Sequence, residues 1–199
     1  PAPAEYMDIM NTWYGHTDIP VGIVRGGSDD PWGQYAQKVV DLKNEDGALM
    51  FARSRKSYDD LPDAHMLYRQ ILAKQPDNSV VIASVGFSTN LARLLDTPAD
   101  EYSTLCGREL VAKKVKAWYQ MGGVLPKGLE CNLRMDAKSS SIALRDFPRP
   151  VYLVDFNLGV DVYTGLPVAG LGIENGPVSE AFIRCFTVWN ERCRGRPSW

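Results

Sequence analysis

The strongest constraint on the fold is an apolar run that ends at a glycine. Residues 80–85 read Val-Val-Ile-Ala-Ser-Val, and residues 86–92 read Gly-Phe-Ser-Thr-Asn-Leu-Ala. Such a short apolar run is typical of a buried strand in a parallel sheet, and the residues after it are typical of a turn into a helix. Open α/β sheets bind ligands at the carboxyl ends of their strands, so Thr89 is a candidate site residue.

The same arrangement occurs again further along the chain. Residues 115–120 form a second predicted strand, which runs into Met121 and two glycines, and a third polar cluster follows at Glu130, Cys131 and Asn132. The carboxyl ends of parallel strands lie at one edge of a sheet. The three clusters therefore predict a site that is built from several loops.

Helical and extended patterns alternate along the chain. Apolar periodicity predicts helices at residues 4–13, 34–40, 62–74, 89–95, 107–114, 137–145 and 179–192, and strands at residues 19–24, 79–85, 115–120 and 151–155. Asp60 is the predicted N-cap of the third helix, with Pro62 just inside it. We therefore expect an α/β fold with an open, mostly parallel sheet and helices on both faces, formed as a single domain over residues 1–199.

Composition excludes several classes of protein. The chain has 199 residues, 45% of them hydrophobic and 23% charged, with a net charge of -2. This charge gives no electrostatic basis for binding nucleic acid or an anionic membrane, and no apolar stretch is long enough to span a bilayer. A signal peptide is not recognisable, but one already removed would leave the same sequence, so a cytoplasmic or exported location stays open.

The cysteines show no metal-site spacing. None of the four forms a C-x-x-C pair, and the two histidines are distant in sequence. Zinc is therefore not expected, and the cysteines are predicted to be buried or free thiols: Cys106, Cys131, Cys185 and Cys193.

Taken in order, the three strand-end clusters carry a family resemblance. Together with Asp136, they resemble the motifs of the inosine-uridine preferring nucleoside hydrolase family. Residues 14–22, residues 67–73 and Gly165 are similar to that family as well. The likeness covers nearly the whole chain.

The resemblance implies a calcium-dependent hydrolase that cleaves the N-glycosidic bond of ribonucleosides, with an open α/β fold and a homo-oligomeric state. It implies that the backbone carbonyl of Thr89 binds Ca²⁺ and that Asn132 bonds a ribose hydroxyl near the metal. It also implies that Glu130 holds the far hydroxyl of the sugar and that Met121 packs against the sugar. Asp136 corresponds to the family's structural acid, which caps the next helix.

The chain departs from the family pattern at its most important motif. The aspartate cluster D-x-D-x-x-x-D-D, which supplies the general base and most metal ligands, is not in the sequence. We therefore expect a domain that is truncated at both ends, with the catalytic aspartate outside this chain. Two local acidic pairs, at 29–30 and 59–60, are predicted to be turn and helix-cap residues instead. Cys131 stands where the family usually has Phe. Asn157 stands where the branch of the family that this chain resembles usually has Glu.

Two functions remain open from the sequence. The first is the hydrolase, completed by a second copy or by a complementing chain. The second is a non-catalytic nucleoside- or sugar-binding or interaction protein on the same scaffold. Another α/β enzyme is less favoured, because no P-loop, G-x-G-x-x-G or G-x-S-x-G motif occurs. In both cases an incomplete sheet predicts a chain that aggregates or binds a partner tightly.

Overall fold

The structure, a computed structural model, describes residues 2–27, 34–160, 162 and 176–192. The helices are α1 Ala2–Trp13, α2 Gln34–Val40, α3 Ala64–Ala73, α4 Thr89–Leu95, α5 Gly107–Lys114, α6 Cys131–Arg134, α7 Ala137–Asp146, α8 Phe156–Val160 and α9 Pro177–Arg192. The strands are β1 Val80–Ser84, β2 Val115–Met121 and β3 Val151–Val154.

Internal contacts divide the chain into two compact units. The first unit comprises Pro1–Val21, Asp30–Leu61 and Tyr163–Trp199, and the second comprises Gly22–Asp29 and Pro62–Val162. The single domain expected from the sequence stays a prediction.

The first unit is helical. Its small core contains four buried side chains from α1, α2 and the segment after α2: Ile9, Val39, Val40 and Phe51. Asp8, on the same helix as Ile9, is also buried and anchors the segment at residues 54–58 through hydrogen bonds.

The second unit contains an open parallel sheet with the strand order β1-β2-β3. Val80 lies beside Val115, so β1 and β2 start together, whereas Val151 lies beside Trp118, so β3 starts three residues further along β2. Each strand is connected to the next through helices, as a parallel sheet requires. The predicted α/β fold with an open parallel sheet is therefore confirmed.

The core of the second unit lies against one face of this sheet. Trp118 is fully buried there with Ile82, and helices α3, α4, α5 and α7 supply the apolar side chains packed around them. Burial of these side chains is the main source of stability for the unit.

The opposite face, which we call the open face, carries Val81, Tyr119, Met121, Tyr152 and Val154. Between 36% and 52% of each of these residues is exposed. The rings of Tyr119 and Tyr152 stack on each other with their centres 4.8 Å apart. An apolar patch of this kind is uncommon on a protein that has no partner.

The strand predicted at residues 19–24 is wrong. Only Ile23 makes a bridge, to Asp63, in which Ile23 N donates to Pro62 O at 3.0 Å. Pro20 has no N–H to donate to a ladder, which explains why the apolar run does not extend. Gly22 lies so close to α3 that a Cβ on it would sit 2.8 Å from the Cα of Ala64.

The predicted start of α3 is also wrong. The helix begins at Ala64, and Asp63 occupies the N-cap position in an extended conformation. Pro62 is held outside the helix because its carbonyl accepts the bond from Ile23. Asp60 does not cap the helix, since both of its carboxylate oxygens lie 2.9 Å from the guanidinium of Arg55.

Candidate functional site

The loops that follow β1 and β2 meet at the carboxyl edge of the sheet. Thr89 is the first residue of α4 and is 5% exposed. Its hydroxyl donates a hydrogen bond of 2.5 Å to Asp136, which precedes α7. The loop after β1 is thereby tied to the start of a helix 47 residues further along the chain.

Asp136 caps α7, as the resemblance implied. Its carboxylate accepts a bond from the backbone N–H of Ser139 at 3.2 Å. Burial raises the pKa of Asp136, but the hydrogen bonds from Thr89 and Ser139 outweigh burial and hold the pKa below its usual value. Asp136 is therefore an ionised structural residue at the margin of the site.

Glu130 is the N-cap of α6. Its side chain accepts bonds from three backbone N–H groups, those of Asn132 at 2.8 Å, Leu133 at 3.1 Å and Gly123 at 3.1 Å. The bond to Gly123 closes the loop between β2 and α6. A carboxylate has about four acceptor positions, so Glu130 keeps about one for a ligand hydroxyl.

Asn132 reaches back to the end of β2. Its side-chain Nδ2 donates to the carbonyl of Met121 at 3.0 Å and lies 3.2 Å from the Met121 sulfur. Met121 itself is 44% exposed. The structure therefore places Met121, Glu130 and Asn132 together, whereas Thr89 belongs to the adjoining pair with Asp136.

Gln120 connects these two groups, and sequence reasoning missed it. It is fully buried on the core face of β2, and its Nε2 donates to Gly86 O at 3.1 Å and to Met121 O at 2.7 Å. The hydroxyl of Ser88 lies 3.5 Å from its Oε1. A glutamine at a core-facing position of an apolar strand is the sequence signal that could have identified it, because buried amides are retained where they satisfy backbone groups.

The calcium implied by the resemblance requires several oxygen ligands. In the part of the chain that the structure describes, no group of three or more His, Cys, Asp or Glu residues could hold a metal ion. The carboxylates of Glu130 and Asp136, which belong to the candidate site, already accept hydrogen bonds from backbone N–H groups and from a hydroxyl. The described residues therefore do not form a calcium site on their own, and the role of the Thr89 carbonyl stays a prediction.

Other residues singled out from the sequence lie elsewhere. Cys131 is half-buried at the first position of α6. The acidic pair at 29–30, Gly165, the side chains of Cys185 and Cys193, and the last residues of the chain are outside the described residues. Asn157 donates to Leu125 O at 2.8 Å and so supports the neighbouring loop.

A second polar cluster occurs in the first unit, around Asp8. Ser54 donates to Asp8 through its backbone N–H at 3.0 Å, and Tyr58 donates through its hydroxyl at 2.7 Å. Burial raises the pKa of Asp8, but these bonds outweigh burial and lower it; burial and the bond to Asp8 raise the pKa of Tyr58. The carboxylate is saturated with internal donors, so the cluster is structural.

Two comparisons with known proteins identified no relative of this chain. No protein-family model matches the chain. No curated protein matches it either. Among the described helices, none is both long and apolar enough to cross a membrane.

Proposed function

We propose that the protein hydrolyses the N-glycosidic bond of ribonucleosides, giving ribose and the free base. The observation that supports this proposal is the meeting of Met121, Glu130 and Asn132 at one sheet edge, beside the loop that carries Thr89. The family resemblance implies sugar or metal contacts for these four residues. The Glu130 carboxylate and the Asn132 amide are groups that bind sugar hydroxyls.

The reaction needs firm contacts to the sugar more than a strong nucleophile. The bond between C1′ and the base nitrogen breaks through an oxocarbenium-like transition state, the oxygen of water bonds to C1′, and the base leaves with a proton. Asn132 and Glu130 would hold the sugar hydroxyls, and Met121 would pack against the sugar.

The proposal is tested by measuring release of reducing sugar and of free base from the four common ribonucleosides, with and without a calcium chelator. We expect release by the 199-residue chain and a reduction of at least tenfold in Asn132→Ala, and loss of release with chelator would assign a metal ion to the reaction. Asn44→Ala is the matched control, since Asn44 lies in an exposed turn of the first unit. Absence of release from every ribonucleoside would contradict the proposal.

A second candidate is a nucleoside- or sugar-binding protein without catalysis. It is supported by the missing carboxylate cluster in the described residues and by the three backbone bonds that occupy Glu130. Equilibrium binding of ribonucleosides by calorimetry separates the two candidates. Binding without release, weakened in Asn132→Ala, would favour this second candidate, whereas neither binding nor release would contradict both.

A further inference from the structure

The strand β1 has an unpaired edge. Within the described residues it pairs with β2 alone, in a sheet of three strands. Trp118 N donates to Pro150 O on the β3 side, so the alternate residues of β2 face β1. With the observed register, Ile82 and Ser84 exchange bonds with β2, and the N–H and C=O groups of Val81 and Ala83 point away from it.

This edge has none of the features that protect natural sheet edges. Exposed edge strands are usually very short or contain lysine or proline, and each of these features prevents pairing with a further strand. Val80–Ser84 contains no charge and no proline, and Val81 is 52% exposed. An apolar strand of this type is typical of the interior of a parallel sheet.

A groove runs along the end of this edge. It has a volume of about 330 Å³ and is lined by Val24, Tyr68 and residues 83–87 and 89–91. Ala83 and Ser84 point to opposite faces of the sheet, yet both line the groove, and no residue of β2 does. The groove therefore lies at the carboxyl end of the free edge of β1 and continues along the loop into α4, with Val24 and Tyr68 as its other wall.

The lining specifies the chemistry of an occupant. No lining side chain carries a formal charge at neutral pH, and burial raises the pKa of the Tyr68 phenol, which keeps it neutral. The Oδ1 atom of Asn90, also a lining residue, is buried and finds no hydrogen-bond donor among the described residues. Buried acceptors are normally satisfied, so Asn90 fits an occupant that supplies N–H groups.

We propose that the β1 groove binds an extended apolar segment of another polypeptide, which adds to the sheet as a fourth strand beside β1. Only an extended backbone presents N–H and C=O groups at the spacing of Val81 and Ala83, and a neutral lining favours apolar side chains. A second copy of this chain is the competing occupant of the same edge, and hydrogen exchange separates the two. The groove includes Thr89 and its loop, so a bound segment would lie beside the candidate site, although the proposal does not depend on the hydrolysis.

The experiment uses the 199-residue chain and a fluorescent nine-residue peptide of alternating threonine and valine, with lysine at each end for solubility. Fluorescence anisotropy measures binding, and hydrogen exchange measures protection of individual amides. We expect saturable binding and slower exchange at Val81 and Ala83. Val81→Lys should weaken binding at least tenfold, because a lysine at an exposed edge position opposes pairing.

Tyr152→Lys is the matched control, since Tyr152 is exposed on the open face but belongs to β3, away from the edge of β1. It should bind the peptide as tightly as the unchanged chain. Equal weakening in both variants would place the peptide on the open face and overturn the proposal. Unchanged exchange at Val81 and Ala83 on addition of the peptide would overturn it too. Slower exchange at these two amides when the concentration of the chain alone is raised would also overturn it, because it would place a second copy at the edge.

Discussion

At the scale of single residues, one substitution tests whether Glu130 stabilises the fold as a helix cap, apart from its proposed contact with a sugar hydroxyl. Three backbone N–H groups depend on its carboxylate, so Glu130→Gln should lower the free energy of unfolding by about 1 kcal/mol, the usual effect of a lost helix cap. Urea denaturation measures this loss. Glu101→Gln is the control, because Glu101 is an exposed loop residue whose substitution should leave stability unchanged. Equal stability of the two variants would contradict the capping role.

The buried ion pair of Arg69 predicts a dependence of stability on pH. Arg69 is fully buried and donates to both oxygens of Asp100, at 2.7 and 2.9 Å. The hydrogen bonds from Arg69 lower the pKa of Asp100 to about 2, whereas an aspartate in an unfolded chain titrates near 3.9. Because the pKa of Asp100 is lower in the folded state, the ionised carboxylate stabilises the protein above about pH 4. This contribution is lost as the pH falls from about 4 to 2.

Asp100→Asn should therefore lower the free energy of unfolding at pH 7 by about 3 kcal/mol, because it leaves a buried guanidinium without its anion. It should also flatten the decline of stability below pH 4, measured by urea denaturation across that range. Asp77→Asn is the control, since Asp77 pairs with Lys113 and Lys114 at the surface. A steep decline that persists in Asp100→Asn would assign the pH dependence to other groups.

At the scale of elements, the packing of α5 on the end of α4 depends on a missing side chain. A Cβ on Gly107 would lie 1.7 Å from the carbonyl oxygen of Leu94 and 2.5 Å from the hydroxyl of Thr97. Gly107→Ala should therefore force the two helices apart and lower the free energy of unfolding by about 3 kcal/mol. Thermal denaturation measures the effect.

Gly159→Ala provides the comparison for that experiment. Gly159 also lies in a helix, α8, and a Cβ there would meet no atom within 4 Å. Alanine favours helix over glycine, so this variant should be as stable as the unchanged chain or more so. A similar loss in both variants would mean that close packing is not the cause.

At the scale of the whole molecule, the open face predicts self-association. Tyr119 and Tyr152 are 44% and 49% exposed, side by side, on a sheet surface that parallel sheets normally cover. Light scattering should show association that grows with concentration and that Tyr152→Lys reduces. Tyr14→Lys is the control, because Tyr14 is an exposed aromatic residue of the first unit. A monodisperse monomer at high concentration would contradict the prediction.

The sequence predicted those elements whose signals are local. The apolar run of β1 and the turn into α4 depend on neighbouring residues and were placed correctly, whereas the cap at Asp136 was implied by the family resemblance. The start of α3 was misplaced because it depends on a bond between Ile23 and Pro62, which are 39 positions apart in the numbering. Sequence patterns carry no information on such a distant pairing.

The candidate site could be predicted in part for the same reason. Glu130 and Asn132 follow β2 closely, so their position near Met121 followed from the strand order. Gln120 could not be given its role, because its partners are the backbone carbonyls of Gly86, in the loop after β1, and of Met121, and such bonds cannot be read from residue types.

The bonds made by Gln120 also affect how the loops behave before any ligand arrives. The buried side-chain amide of Gln120 joins the loop after β1 to the end of β2 by hydrogen bonds, which restricts independent motion of these two segments. Their conformational freedom is already lost when the chain folds, not when a small molecule docks. Association with this edge of the sheet therefore involves little further loss of entropy from the loops, which favours a preorganised recognition surface.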